Sequence, residues 1–470
     1  MPFRNILILM AAALISFACY GKAERNRYSA TVTEAMMLVS DYYVDEVTPR
    51  DLFQNAMQGM VSELDPYSSY ISPEDFRAFQ EDLDQEFGGV GIVVELNPET
   101  NRLTVLSPLT GTPAYRAGMR AGDVILEING ESTEGMTLRD SVAIMRGEPG
   151  TNVHLSVLHA GDTEPVEFTV TRDTIPIESV LGDRRLADGR WDFRLEQDPR
   201  ILYIRLTTFG ENSLDEIKAT MAAEQQSDSP FKAIILDLRG NAGGLLSTAV
   251  DLCDMLISGG EIVSTRGRNG EMGRQYMADA ETIIDTNLPM VVLVNTYSAS
   301  ASEIVAACLK DHQRAVIVGT RTWGKGTVQN IIPLENGESA LKLTTATYWR
   351  PSGRNIHRRK DAGDDDDWGV QPDPQFHVPL TNEEFELVLR KRRERDIYRA
   401  PDEAPGTSEP EDAVEPPSGP PVPPVPPDDP EEEAFVDPQL KVAIEYLQKR
   451  LNEEGQQPSS AARPRKSGSA

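Results

Sequence analysis

The apolar rhythm of the chain changes several times. From Tyr28 to Leu64, apolar residues recur every three to four positions (Val32, Ala35, Met36, Val39, then Phe53, Met57, Met60, Val61, Leu64), the period of helices with one buried face. Asp65-Pro66-Tyr67-Ser68-Ser69-Tyr70 breaks that rhythm. A charged helix is predicted to restart near Pro73, where a fixed φ suits a first turn. From Gly88 to about Thr171 the pattern becomes short β-branched runs separated by Gly, Asn and Pro, with one helical stretch at Leu138 to Met145. That predicts a compact, mostly-β domain.

From about Ile201 to Leu380, apolar runs at Ile201 to Leu206, Ala233 to Leu238, Met290 to Val294 and Ala315 to Val318 alternate with helical periods at Leu214 to Ala223, Ser247 to Leu256 and Ser300 to Leu309. This is the pattern of an α/β core with a partly parallel sheet, whose functional groups gather at strand ends. Beyond Leu380 a charged helix runs to about Arg395, and Pro401 to Pro430 is dense in Pro, Asp and Glu. Such a tract buries too little apolar surface to offset its ordering entropy, and it reads as a linker. Leu440, Val442, Ala443, Ile444, Leu447 and Leu451 then mark one amphipathic helix. Docking and solvent exposure are both open for it.

At the other end, an apolar run from Ile6 to Ala18 follows Arg4, the layout of a secretory signal. It is about 13 residues long and falls short of the roughly 20 that span a bilayer. A cleaved signal is favoured over an anchor or membrane tether, although no small-x-small site follows, and Cys19 leaves lipidation open. No other stretch is long and apolar enough to cross a membrane.

At 470 residues the chain exceeds a single core, so a multidomain α+β protein is expected. With 46 basic and 75 acidic residues its net charge is −29, the wrong sign for binding nucleic-acid phosphates. Three cysteines, Cys19, Cys253 and Cys308, exclude a disulfide framework, and the latter two sit in apolar helical patterns as core residues. No Cys/His cluster has zinc-ligand spacing. Neither a metal nor a cofactor is expected.

Three segments carry candidate chemistry. In Asp237-Leu238-Arg239-Gly240-Asn241-Ala242-Gly243-Gly244 the glycines turn the backbone sharply and leave N–H groups accessible, as an oxyanion hole requires; a plain strand-to-helix turn uses the same glycines. Asn295-Thr296-Tyr297-Ser298-Ala299-Ser300-Ala301-Ser302-Glu303 puts hydroxyls between a buried strand and a helix N-terminus. Ser300 with Glu303 also fits a capping box. In Trp323-Gly324-Lys325-Gly326-Thr327-Val328-Gln329, a lysine flanked by glycines is either a surface turn residue or a buried amine able to take a serine proton. Gln329, four residues on in an extended strand, points to the same side. No phosphate-binding G-x-x-x-x-G-K-[ST] pattern is present. His154, His159, His312, His357 and His377 lie outside these segments, which leaves a Ser-His-Asp triad without candidates.

Together the three segments resemble the signatures of the carboxy-terminal processing, or tail-specific, proteases, whose core has a ClpP/crotonase-like fold. The family pairs an S-A-S-A-S-E serine with a G-K-G-x-x-Q lysine 25 residues later, the separation of Ser300 and Lys325. The resemblance implies Ser300 as nucleophile, Lys325 as general base, Gln329 as its orienting partner, and an oxyanion hole from the N–H groups of Ala301 and of Gly243 or Gly244. Tyr348 to His357 and Gly369-Val370-Gln371-Pro372-Asp373 resemble the family segment ending in G-V-x-P-D, here split by the acidic insertion Asp364 to Asp367. Tyr297 replaces a usual Gly, with bulk able to crowd the serine, and Ala242 replaces a frequent Pro.

Gly118-Met119-Arg120-Ala121-Gly122-Asp123-Val124-Ile125-Leu126-Glu127-Ile128-Asn129-Gly130 resembles the PDZ signature, with Met at its Leu position. Phe87-Gly88-Gly89-Val90-Gly91-Ile92 resembles the PDZ loop that receives a peptide's terminal carboxylate while the peptide adds to a sheet edge. The expected organisation is a signal or anchor at 1–27, a helical region at 28–84, a PDZ domain at 85–173 and a Ser/Lys protease core at 174–380. A charged helix at 381–399, a linker at 400–436, and an amphipathic helix with tail at 437–470 complete it. The implied function is a serine endopeptidase cutting exported, periplasmic or cell-envelope polypeptides near their C-termini after PDZ capture. The alternative is a catalytically silent PDZ scaffold; an acyl-CoA enzyme ranks third, since it explains neither the signal nor the PDZ motif.

Overall fold

The computed structural model describes residues 27–97, 100–363, 365–397 and 436–456. The expected signal, the acidic Pro-rich linker and the final tail lie outside the described residues. Among the described residues, no helix is long and apolar enough to cross a membrane. The described residues form two compact units, one from residues up to 78 with 329–345, the other from 79–328 with those after 345.

In the first unit, helices cover residues 27–42 and Pro49–Ser62. Thr48 caps the second of these by accepting from the Asp51 N–H at 3.1 Å, with Pro49 in the first turn, the arrangement that satisfies an orphan N–H at a helix start. The Asp65-Pro66 break is a turn closed by Asp65 Oδ1, which accepts from the N–H groups of Tyr67 and Ser68 at 2.8 and 3.0 Å. Ser69–Ile71 then pairs antiparallel with residues 340–342.

The second unit begins with an antiparallel sheet in spatial order β1 (Ile92–Leu96), β2 (Leu103–Pro108), β3 (Val124–Ile128), β4 (Asn152–Leu158) and β5 (Val166–Thr171), accompanied by helix α1 (Leu138–Met145). Leu103, Val105, Ile125, Ile128, Val153, Leu155 and Val157 form its fully buried core. The Gly118 to Gly130 signature builds this fold. Asp123, 1% exposed, accepts from the Arg120 N–H at 2.8 Å and meets His159 Nδ1 at 2.7 Å, while Asn129 Oδ1 accepts from the His154 N–H at 3.0 Å.

The α/β core follows as β6 (Asp198–Leu206), α2 (Ser213–Gln225), β7 (Ala233–Asp237), α3 (Leu246–Leu256), β8 (Met290–Val294), α4 (Ala301–Asp311) and β9 (Val316–Gly319). The four strands are parallel in that order, with Ile204 opposite Leu236, Leu236 opposite Val292 and Val292 opposite Ile317. Successive residues of a strand face opposite sides, and here both sides are covered. Ile204, Leu236, Val292 and Ile317 pack with residues of α2 to α4, including the fully buried Cys253 and Cys308. Double coverage explains why these strands read as unbroken apolar runs.

The opposite face, Tyr203, Ile235, Leu293 and Val318, is covered by Leu440, Ala443, Ile444 and Leu447. These belong to the C-terminal helix α6 (Pro438–Gln456), which follows α5 (Asn382–Asp396). The amphipathic C-terminal helix therefore docks on its own sheet. Parallel strands end on one edge, and from that edge emerge segments 237–244, 295–300 and 320–326.

Candidate active site

Asn241 organises the first loop. Fully buried, it donates from Nδ2 to the Leu206 carbonyl at 2.7 Å, accepts the Gly243 N–H on Oδ1 at 2.8 Å, and offers its own carbonyl to the Ala299 N–H at 3.0 Å and Ser302 Oγ at 2.8 Å. Ser298 Oγ donates to the Leu238 carbonyl at 2.8 Å and accepts from the Asn295 N–H at 3.0 Å. Two of the three serines thus tie the glycine loop to the serine loop. Ser300 stands between them at the start of α4, 8% exposed, with φ 56° and ψ −114°, a sparsely populated conformation that surrounding structure must hold. Gly243 lies against it at φ 107°, where a Cβ would meet Ser300 Cβ at 2.8 Å and the Ala299 carbonyl at 2.9 Å. Only glycine permits that approach.

Glu303 joins the serine segment to the lysine segment. Its carboxylate, with the residue 0% exposed, accepts the N–H of Ser300 at 2.9 Å and of Lys325 at 2.8 Å on one oxygen. The other oxygen accepts the Gly324 N–H at 2.7 Å and Thr322 Oγ1 at 2.6 Å. Thr322 Oγ1 in turn accepts from the Val370 N–H at 2.8 Å, bringing the G-V-x-P-D segment into the same cluster. The sequence shows Glu303 only as a capping partner.

Burial pushes the Glu303 carboxyl up to about 7 from the ordinary 4.5, against the pull of these hydrogen bonds. A folded state that keeps this proton to higher pH than the unfolded chain gains most from the group below pH 4.5 and loses that gain as pH rises through 7. The loss is roughly 3 kcal/mol. Thermal melts of wild type and Glu303→Gln from pH 5 to 8 check this: wild type should lose Tm relative to the variant as pH rises, and a rising difference would contradict it.

Both glycines beside Lys325 have packing causes. At Gly324 (φ 88°) a Cβ would meet Arg358 Cβ at 2.7 Å, and at Gly326 one would meet the His357 backbone N at 2.2 Å. Residues 348 and 358 close over the loop by donating N–H bonds to the Gly326 and Gly324 carbonyls, each at 2.8 Å. Lys325 itself is half-buried. Gln329 belongs to the first unit, where its Nε2 donates to Thr344 Oγ1 at 3.2 Å. Three histidines are engaged elsewhere: His312 Nε2 meets the Glu261 carbonyl at 2.7 Å, His154 Nδ1 meets Thr169 Oγ1 at 3.0 Å and His159 Nδ1 meets Asp123. His357, by contrast, lies against Gly326 in the lysine segment. The ring of Tyr297 stacks on Phe385 of α5, centroids 5.7 Å apart, so its bulk rests on that helix.

In the β-domain, Gly88 and Gly89 lie in a short strand, Glu86–Gly89, paired antiparallel with Asp173–Pro176. The turn proper is Val90-Gly91, and Ile92 opens β1. β1 is the edge of its sheet with α1 alongside, the layout in which an extended peptide can add as a further strand. Among the described residues no group of three His, Cys, Asp or Glu side chains could hold a metal ion.

Three family profiles match the chain: peptidase family S41 over residues 200–376, a PDZ domain over 104–158, and the activating protease CtpB N-terminal domain over 18–75. A carboxy-terminal-processing protease of Bartonella bacilliformis is 39% identical over 380 residues, 80% of each chain. A carboxyl-terminal-processing protease of Synechocystis is 35% identical over 345 residues, 73% of this chain and 75% of that one. Among solved structures, a photosystem II D1 C-terminal processing protease is 29% identical, covering 74% of this chain and 92% of that one, with a TM-score of 0.40.

Proposed function

This chain belongs to the carboxy-terminal processing serine proteases of peptidase family S41 and carries a PDZ domain, and from that premise we propose an endopeptidase that works through Ser300 and Lys325 on exported polypeptides. The observation that carries the reading is the Glu303 carboxylate, which holds the backbone of Ser300 and of Lys325 on one oxygen while Ser298 and Ser302 are committed to loop carbonyls. Lys325, neutral, takes the Ser300 proton as Oγ attacks the scissile carbonyl. The developing oxyanion is received by the Ala301 N–H at the start of α4 and by an N–H of the glycine loop. Because Gly243 already donates to Asn241, Gly244 is the favoured second donor. Lys325 then protonates the leaving amine, and water hydrolyses the acyl-enzyme. Gln329 enters the proposal as the orienting partner on its sequence match alone.

Export rests on the apolar run Ile6 to Ala18. Capture rests on the edge of β1 with Gly88 to Ile92 at its entrance, which fits an extended peptide ending in a free carboxylate. We take residues 85–173 as the PDZ domain and 174–380, with helix α6, as the protease core.

An unfolded polypeptide with an apolar C-terminus and its amidated twin, incubated with the purified protein and mapped by mass spectrometry, tests this. The free carboxylate should be cut with a KM lower by about tenfold, the value of one lost charge-assisted contact. Binding without any product would sink the enzyme reading in favour of the scaffold. Equal KM values would remove the carboxylate role from Gly88 to Ile92.

A further inference from the structure

Helix α6 lies across β7, β8 and β9, the strands that end in the glycine, serine and lysine loops. Its first turn also reaches one of those loops. Arg239, two residues past the end of β7, directs Nε and Nη2 to Asp237 at 3.0 and 2.7 Å, and Asp237 also accepts from Tyr203 Oη at 2.7 Å. Asp237 therefore occupies only one side of the guanidinium. On the other side, Nη1 donates to Asp437 Oδ2 at 2.8 Å and to Gln439 Oε1 at 3.1 Å. The three charged side chains are 10%, 5% and 13% exposed for Arg239, Asp237 and Asp437.

Asp437, just before α6, and Gln439, in its first turn, are themselves held. Asp437 Oδ1 accepts the N–H groups of Gln439 and Leu440 at 3.0 and 3.1 Å, and Gln439 Nε2 donates to the Val378 carbonyl at 2.8 Å. Arg239 immediately precedes Gly240 to Gly244, a run with three glycines at positive φ and therefore little intrinsic stiffness. Its position must come from anchors at its ends and from Asn241.

We infer that Asp437 and Gln439 are positioning residues for the peptidase reaction, with α6 acting through Arg239 as a brace that keeps the glycine loop in register with Ser300. This rests on the reading of Ser300 and the glycine loop given above. A donor aimed at a developing oxyanion loses its effect when displaced by a fraction of an ångström, so the cost of losing the brace should appear in turnover.

The test uses the full chain. The double variant Asp437→Asn, Gln439→Ala is expected to lose roughly tenfold in kcat, a part of what a whole oxyanion donor supplies, with KM within about twofold. Leu447→Ala, which removes a buried contact of the same helix far from Arg239, serves as a control. It should lower Tm at least as much while keeping kcat below its melting range. If the double variant turns over at the wild-type rate, or Leu447→Ala loses as much kcat, the brace is overturned. Ser300→Ala run alongside separates the two failures: activity surviving in that variant defeats the reading of the site, whereas an inactive Ser300→Ala with an unimpaired double variant defeats the brace alone.

Discussion

Ser300→Ala is expected to lower peptide cleavage by roughly 10⁴-fold or more, as removal of an acyl-transfer nucleophile does, with Tm close to wild type. The contrast with its neighbours makes the experiment decisive. Ser298 is fully buried and spans the Leu238 carbonyl and the Asn295 N–H, and Ser302 is fully buried on the Asn241 carbonyl. Removing the Ser298 hydroxyl leaves the Asn295 N–H without this partner, at a cost of about 1–3 kcal/mol. Removing that of Ser302 takes one of two donors from the Asn241 carbonyl, which keeps the Ala299 N–H, at a cost of about 0.5–1.5 kcal/mol. Ser298→Ala and Ser302→Ala should therefore melt lower yet keep measurable turnover, the reverse of Ser300→Ala. Cleavage of a quenched peptide and thermal melts of the three variants give both readouts. A Ser300→Ala protein within tenfold of wild type would end the nucleophile assignment.

Lys325→Ala carries the second large effect, a loss of roughly 10² to 10⁴ in kcat, the range for a positioned general base. Its structural cost should be small. The Glu303 carboxylate accepts from the backbone N–H of Lys325, and that bond between the two segments survives the substitution. Lys325→Arg should not rescue, because a guanidinium stays protonated and cannot accept the serine proton. Rescue by arginine, or unchanged product formation in Lys325→Ala, would overturn the dyad. Single-turnover cleavage followed by mass spectrometry distinguishes a blocked first step from a stalled acyl-enzyme.

The parts legible in the sequence were those with a local cause. Ile201 to Leu206, Ala233 to Leu238 and Met290 to Val294 are unbroken apolar runs because both faces of a parallel sheet are covered, and they emerged as adjacent strands. The Gly118 to Gly130 signature was legible because Asp123 closes a turn on the Arg120 N–H and Gly118, Gly122, Asn129 and Gly130 take the positive φ of turns. Less legible was the Gly88 to Ile92 segment, where half of the glycine run pairs as a strand with residues 173–176. Nothing local marks a glycine as a strand residue. Tyr297, a misfit by pattern, has a partner in Phe385 that lies 88 positions away in the chain.

By itself the sequence determined the residue chemistry: a serine at a helix start, a lysine between glycines, apolar runs long enough for a doubly covered sheet, and an amphipathic helix at the end. Only the tertiary structure decided which of three serines is left uncommitted to a loop carbonyl, that Glu303 serves two segments rather than one helix cap, and that the last helix covers the sheet and grips Arg239. The physical reason is the range of the signals. Periodicity and turn chemistry act within a few residues, whereas a buried carboxylate is satisfied by whichever N–H groups packing brings to it, and chain separation leaves no trace of that choice.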